Sequence, residues 1–310
     1  MKRTLTSLID KGDIIVEGQG RSTRYSISEQ AQLLLQYDID TYFATDIDHR
    51  QVQTSFNFEL INQILPKVEL FTTEELTLLD DLHQQFTNNI SSLSETAYKK
   101  EIERLGIDLS WKSSQIEGNT YSLLETERLL RDKLTADGKT REEATMLLNH
   151  KQALDFIVDN PDFMEQLSLR NIEDLHSILV KDLGVQHGIR NHRIGITGTT
   201  YRPLDNSFQI REAIEDSCNL INGKENAYEK SLLALALLSY IQAFEDGNKR
   251  TARLVSNAIL IAHNHCPLSF RTVDPIDYKK AMLIFYEQNS IAAFKKIFID
   301  QNIFAVQEYF

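Results

Sequence analysis

A short turn between two predicted helices brings an acid, a glycine and an amide close together. Residues 227–242 form an apolar stretch that predicts a buried helix, and residues 251–263 repeat apolar side chains at helical spacing. The turn between them contains Asp246, Gly247 and Asn248. The backbone N–H groups that are free at the start of a helix bind anions, and the helix dipole adds to this attraction. The pattern therefore predicts an anion site, where a glycine allows a ligand to approach the backbone.

Two arginines and one carboxylate indicate which anion this site would take. Arg250 and Arg253 lie three residues apart, so both project from the first turn of the second helix. Asp246 offers hard oxygen ligands, which suit a magnesium ion that bridges phosphates. The alternative is a helical corner with a solvated cluster of charges. The combination of two arginines, an acid and a helix start favours a phosphate site.

The same stretch resembles the signature of the Fic (Fido) family, His-x-Phe-x-Asp/Glu-Gly-Asn-Gly/Lys-Arg-x-x-Arg. Residues 242–253 match every position of it except the first. Fic proteins typically transfer AMP from ATP to a Ser, Thr or Tyr hydroxyl of a target protein, so the resemblance implies ATP and Mg²⁺ as cofactors. In the nucleotide site that it implies, Phe244 is a core anchor and Asp246 the metal ligand. Asn248 and Arg250 bind the α- and β-phosphates, and Arg253 binds the γ-phosphate. Gly247 and Lys249 complete the site. Lysine at that last position also occurs in the Doc-type branch, which transfers phosphate.

Gln242 occupies the position of the histidine that acts as the family's general base. An imidazole with a pKa near 6.5 accepts the proton of an attacking hydroxyl, whereas a glutamine amide cannot. Losing a general base typically costs about 100- to 10,000-fold in rate. We therefore predict nucleotide binding with impaired transfer. A substitute base, with His187 and His192 as candidates, and a non-catalytic regulatory protein both remain open.

A second match to the family lies upstream, at residues 113–120. It fits the inhibitory pattern Ser/Thr-x-x-x-Glu-Gly/Asn, and the residues that carry it are Ser113, Glu117, Gly118 and Asn119. In the family this glutamate pairs with the second arginine of the loop, which here is Arg253. A carboxylate competes with a phosphate for the same guanidinium fork. The resemblance thus implies autoinhibition of the class in which the inhibitory helix precedes the domain; the alternative is a surface glutamate in a turn.

A third match covers residues 188–203, which alternate in the manner of β-structure. It resembles the Fic flap, a hairpin that aligns the target segment by strand addition. The predicted flap residues are Ile194, Gly195, Ile196, Thr197, Gly198 and Tyr201. A structural hairpin that covers the core is the alternative.

The composition favours a mainly α protein, since only 12 glycines and 5 prolines interrupt 310 residues. With the resemblance, this predicts a Fic helical bundle with a small β-hairpin flap. Helices are expected to start at the capping box of Thr72 and after Ser94, the latter helix running to about Leu109. Ser168 and Asp274 are further predicted caps. The predicted divisions are a winged-helix-like segment at 1–28, a linker at 29–54, an N-terminal helical region with the inhibitory motif at 55–135, and the Fic core at 136–305.

The N-terminal segment resembles only half of a winged-helix module. A short helix and two strands at 14–16 and 25–27 are predicted, without the two helices that should precede them. Arg21 and Arg24 lie in the wing and would be the DNA contacts, although a hairpin packed on the body or on a partner is equally simple.

The net charge and the number of cysteines indicate which cellular compartment and which partners to expect. A net charge of −12 argues against non-specific nucleic-acid binding, and two cysteines, Cys218 and Cys266, make no disulfide framework. No secretory signal is evident, and the most apolar stretch, residues 232–241, is about half of a membrane span. We expect a cytoplasmic protein whose partners are ATP and a target protein or its own chain. The resemblance adds a homodimer. Residues 263–266 are not expected to bind a metal, because residues two apart do not share a helix face. Trp111 is expected in the core.

Overall fold

Helices make up most of the chain, which confirms the predicted mainly α class. The computed structural model describes residues 2–310, without the side chains of residues 2–4. The helices are α1 Lys2–Asp10, α2 Glu29–Leu33, α3 Ile39–Ala44, α4 Thr73–Ser92, α5 Glu95–Ile116, α6 Leu123–Asp132, α7 Arg141–Asp159, α8 Leu169–Leu179, α9 Ser207–Gly223, α10 Ala227–Ile241, α11 Asn248–Ala262, α12 Pro275–Gln288 and α13 Ala292–Tyr309. Two strands, β1 Ile14–Glu17 and β2 Arg24–Ile27, form the sheet of the described region.

The predicted helix starts are correct because their caps satisfy backbone N–H groups locally. The Thr72 side chain accepts from the backbone of Glu75, and the Glu75 carboxylate accepts in return from the Thr72 N–H. Ser94, Ser168 and Asp274 cap α5, α8 and α12. The helix after Ser94 is longer than predicted, since α5 continues past Leu109 and carries the inhibitory motif at its C-terminal end.

The core is built around α10 and α11. Every residue of α10 except Glu229 and Lys230 is buried, as its apolar composition predicts. Helix α11 packs against α10 and also contacts α5, α7 and α8. Across residues 2–310, none of the helices combines the length and the apolar character that a membrane crossing requires.

Residues 29–54 are folded onto the body instead of forming the predicted linker. Leu33 is buried, and its carbonyl accepts from the Ile291 N–H at 2.8 Å. The Arg50 guanidinium forms a buried ion pair with Glu287 of α12 at 3.2 Å, and the Tyr42 hydroxyl donates to the same carboxylate at 2.6 Å. These partners are far away along the chain, so the local composition did not indicate them.

The N-terminal hairpin has the two strands that were predicted. They pair antiparallel, with Ile14 opposite Ile27. Arg21 and Arg24 are exposed, as a DNA contact would require, and so are the apolar side chains of Val16 and Tyr25. Within the described residues one helix, α1, comes before the hairpin, so a complete helix-turn-helix is not seen there. DNA binding stays a prediction.

The flap segment forms no hairpin, which corrects the prediction of β-structure there. The described structure assigns no strand to residues 189–201, and an isolated parallel bridge joins Ser55 to Arg202. The alternation does reflect burial, since Ile194 and Ile196 are half-buried while Gly195 and Thr197 are exposed. Side chains from outside the turn bond to backbone carbonyls of this segment. The Gly198 carbonyl, for example, accepts from Arg50 at 2.8 Å.

Candidate phosphate-binding site

The loop between α10 and α11 presents the start of a helix, as predicted. Helix α11 begins at Asn248, earlier than the sequence suggested, and its first helical hydrogen bond runs from the Thr251 N–H to the Gly247 carbonyl at 2.8 Å. The N–H groups of the first turn therefore have no acceptor within the helix. Gly247 has φ of +80°, and a Cβ there would lie 3.3 Å from Val180. The backbone conformation favours glycine, and a side chain there would also need Val180 to shift slightly.

Asn248 holds the loop together instead of facing outwards. Its side-chain oxygen accepts from the Phe244 N–H at 2.8 Å, and its amide donates to the Phe244 carbonyl at 2.8 Å. We predicted a phosphate contact for this side chain, but both ends of its amide already have partners in the loop. Phe244 is buried, which agrees with its predicted role as an anchor.

Arg190 ties the loop to the flap segment, a role that the sequence did not suggest. Its backbone N–H donates to the Ala243 carbonyl at 3.0 Å, and its Nε donates to the Gln242 carbonyl at 2.7 Å. The two remaining donor nitrogens bond the carbonyls of His192 at 2.6 Å and Leu204 at 2.5 Å. The side chain is buried and bonds only carbonyls, so it positions backbone on both sides of the site.

The two predicted phosphate-binding arginines are buried next to the loop. Arg250 is 1% exposed, and its Nη2 lies 2.8 Å from a carboxylate oxygen of Asp246. Burial lowers the pKa of Arg250, although the guanidinium stays charged at any physiological pH. Its Nε and Nη1 are buried and have no hydrogen-bond partner among the described residues. Buried donors of this kind normally have an acceptor, so they indicate a place for an anion.

Glu117 lies against the second arginine, as the family pattern predicts. It caps α5, and its Oε1 accepts from Nη2 of Arg253 at 2.9 Å. Arg253 is fully buried and also donates to the hydroxyl of Ser113 at 2.8 Å and to its carbonyl at 2.9 Å. The other oxygen of Glu117 accepts from Lys249 at 3.1 Å, a contact that we did not predict.

The cations of this cluster favour the ionised form of Glu117, and they outnumber the carboxylates, which favours binding of an anion. Burial acts to raise the pKa of Glu117, but Arg253 and Lys249 outweigh it, so the pKa is lowered. Three cationic side chains face the two carboxylates of Glu117 and Asp246.

The turn after Glu117 is stabilised by Asn119, whose amide donates to the Glu143 carbonyl at 2.9 Å, and by Gly118 with φ of +102°.

Asp246 is the predicted magnesium ligand, and its side chain is 61% exposed. No group of three His, Cys, Asp or Glu side chains with metal-binding geometry occurs in residues 2–310. Magnesium commonly binds through one or two protein carboxylates together with substrate phosphates. An exposed carboxylate beside a phosphate site fits that mode, whereas a cage made of protein ligands alone does not.

Gln242 ends α10 in the left-handed conformation, with φ of +54°. Its amide is 6% exposed and donates to the Ser239 carbonyl at 2.6 Å. Among the described residues, neither candidate substitute base has a side-chain hydrogen bond to residues 242–250. His187 Nδ1 lies 3.2 Å from the Ser177 hydroxyl, and His192 is exposed. Trp111, expected in the core, is half-buried next to the inhibitory turn, and its ring N–H donates to the Tyr121 carbonyl at 3.0 Å.

The comparison with family models and curated proteins points to one family. Residues 166–260 match the Fic/DOC family model. A protein adenylyltransferase Fic of Nematostella vectensis is 29% identical over 223 residues, which cover 69% of this chain and 51% of that protein. The counterpart of Aedes aegypti is 27% identical over 190 residues, covering 58% of this chain and 37% of that protein. The chain thus spans about half or less of the length of these relatives.

Solved structures share the fold. Fic-1 of Caenorhabditis elegans superposes with a TM-score of 0.66 at 20% identity, over 76% of this chain and 72% of that one. A Fic domain-containing signaling protein of Bacteroides thetaiotaomicron gives a TM-score of 0.62 at 19% identity, over 74% and 94% of the two chains. With the helix start and the paired arginines in the matched stretch, residues 166–260 form a domain that matches the Fic/DOC family.

Proposed function

We propose that this chain binds ATP at the α10–α11 loop and transfers AMP to a hydroxyl of a protein, with Glu117 as a brake on the site. The observation that carries the proposal is the pair of buried guanidinium groups beside an uncapped helix start. Among the described residues, two buried nitrogens of Arg250 have no hydrogen-bond partner, and Arg253 is fully buried. A polyphosphate offers acceptors and negative charge to both. The relatives named protein adenylyltransferase support the choice of reaction.

Each part of the site has a defined task in this proposal. The first-turn N–H groups of α11 bind the α- and β-phosphates together with Arg250. Arg253 binds the γ-phosphate after Glu117 has released this arginine. Asp246 would hold a magnesium ion, which neutralises phosphate charge. The flap segment, placed by Arg190, would present the target hydroxyl near the α-phosphorus. Attack by that hydroxyl forms a P–O bond to the α-phosphorus and breaks the bond from that phosphorus to the oxygen that bridges to the β-phosphate. Pyrophosphate leaves, and the hydroxyl proton passes to solvent.

Glu117 opposes this arrangement because it occupies Arg253. Its carboxylate lies 2.9 Å from Nη2, the position that a phosphate oxygen would need. Lys249 holds the other carboxylate oxygen at 3.1 Å, so the brake has two cationic partners. We infer that productive ATP binding requires Glu117 to release Arg253.

Gln242 favours a second candidate, a nucleotide-binding protein with a regulatory role and no transfer. The amide cannot accept the proton of the attacking hydroxyl. Without a general base, transfer would be slower by about 100- to 10,000-fold. The two candidates share the ATP site and differ only in chemistry.

Labelled ATP separates them. The Glu117→Gly protein is incubated with Mg²⁺ and ATP labelled at the α-phosphate, or at the γ-phosphate in a parallel sample, with and without a cell lysate. Label from the α-position on protein supports AMP transfer, and label from the γ-position alone indicates phosphate transfer. A matched Glu117→Gly/Arg250→Ala protein should incorporate neither. Absence of both labels in the presence of measured ATP binding favours the regulatory candidate, and absence of ATP binding refutes the site.

A further inference from the structure

We propose that His176 of α8 is a positioning residue of the phosphate loop, which keeps the Asp246–Gly247 peptide bond turned so that its N–H faces the anion. The inference rests on the proposed ATP site and names a residue outside the signature that gives this site its shape.

His176 contacts the loop in two ways. Its Nε2 lies 2.9 Å from the Asp246 carbonyl oxygen. Its ring stacks on that of Phe244, with centroids 3.8 Å apart and planes inclined by 12°. A Cβ on Gly247 would lie 3.5 Å from the imidazole. The tip of the loop therefore rests directly on this side chain, which is fully buried.

The hydrogen bond determines which nitrogen carries the proton. A carbonyl oxygen only accepts, so Nε2 must donate, and the neutral ring has its lone pair on Nδ1. Such a neutral donor holds the carbonyl without adding a charge beside the arginines.

Holding this carbonyl fixes the direction of the next N–H. In a trans peptide the C=O and the N–H point in opposite directions. With the Asp246 oxygen turned towards His176, the Gly247 N–H faces away from α8. Glycine with positive φ also tolerates the flipped peptide, which would aim the carbonyl at the phosphates and repel them. The hydrogen bond from His176 disfavours that flip, while the stacked Phe244 ring holds the start of the loop.

The experiment compares two substitutions in the Glu117→Gly protein. His176→Phe preserves an aromatic ring against Phe244 and removes the donor, whereas His176→Gln retains a donor. By calorimetry with ATP and Mg²⁺, we expect His176→Phe to weaken binding by about 2- to 10-fold, the range for one hydrogen bond. His176→Gln should recover part of the loss. Thermal unfolding of the ligand-free proteins separates this effect from a loss of fold.

Equal ATP affinity in the His176→Phe protein and its parent would overturn the proposal and leave the ATP site standing. If the parent itself binds no ATP, the proposed function fails, and nitrogen-detected NMR of the ligand-free protein still decides the role of His176. We expect the Nε2–H tautomer and a Gly247 amide signal that shifts in His176→Phe. A ring protonated on Nδ1 alone, or an unchanged Gly247 signal, would contradict the positioning role.

Discussion

Substitution of Glu117 tests the competition between the brake and the γ-phosphate. The Glu117→Gly change removes a carboxylate that bonds Arg253 at 2.9 Å and Lys249 at 3.1 Å. A hydrogen bond to a charged group contributes about 1.5–3 kcal/mol. The pair with Arg253 is the one that ATP must break. If the pair of Glu117 with Arg253 contributes about 2 kcal/mol, its removal should raise the affinity for ATP by about 30-fold.

The same change should weaken the ligand-free fold, because Arg253 is fully buried and loses its counter-charge. Removing one partner of a buried ion pair typically costs about 3–5 kcal/mol. Ser113 retains two hydrogen bonds to the guanidinium, so we expect a value near the lower end of that range. Bound ATP replaces the missing charge and should therefore raise the melting temperature more in the variant than in the parent protein.

Calorimetry with ATP and with AMP measures the first effect. AMP lacks the β- and γ-phosphates and gains little from a free Arg253, so its affinity should change much less than that of ATP. Equal gains for the two nucleotides, or no gain for ATP, would refute competition for this arginine. A matched Lys249→Ala protein should give a smaller gain, because it releases only the more exposed partner of Glu117.

Four further changes test other contacts. Gln242→His in the Glu117→Gly protein should speed transfer of AMP from α-labelled ATP by about 100-fold or more, and an unchanged rate argues against a missing base. Asn248→Ala removes both bonds to the Phe244 backbone and should lower the free energy of unfolding by about 2 kcal/mol in urea titrations; an unchanged midpoint contradicts its role in the loop. The pKa of His176 is about 4 in the folded protein and 6.5 in the unfolded chain, so the unfolded chain takes up the proton first as the pH falls. The free energy of unfolding should therefore keep its full value above pH 6.5 and decrease by about 3 kcal/mol as the pH falls to 4. Urea titrations at pH 7 and pH 4.5 measure this slope, which should be shallower in His176→Phe. His150→Leu replaces a fully buried ring whose nitrogens have no partner among the described residues, and calorimetric melting should show stabilisation by about 1 kcal/mol; a lower melting temperature contradicts this.

Features that depend on neighbours in the sequence were predicted well. The caps at Thr72 and Ser94 involve partners three residues away, and the turn at Gly247 depends on the conformation of one residue. Such interactions are the same wherever the segment sits in the fold, so the residue types are sufficient to indicate them. The helix start at the phosphate loop was predictable for this reason. The pairing of Glu117 with Arg253 needed the family resemblance, because 136 positions separate them.

The sequence by itself thus determined the helical class, the caps and the helix start that carries two arginines. The tertiary structure decided which partner each polar side chain takes. It turned Asn248 towards Phe244, gave Glu117 a second cation in Lys249, and placed His176 under the loop. The flap segment shows the same limit: its alternation indicated which side chains are buried, but a hairpin also needs a paired strand. Contacts between distant segments depend on which helices pack side by side, and local spacing does not contain that information.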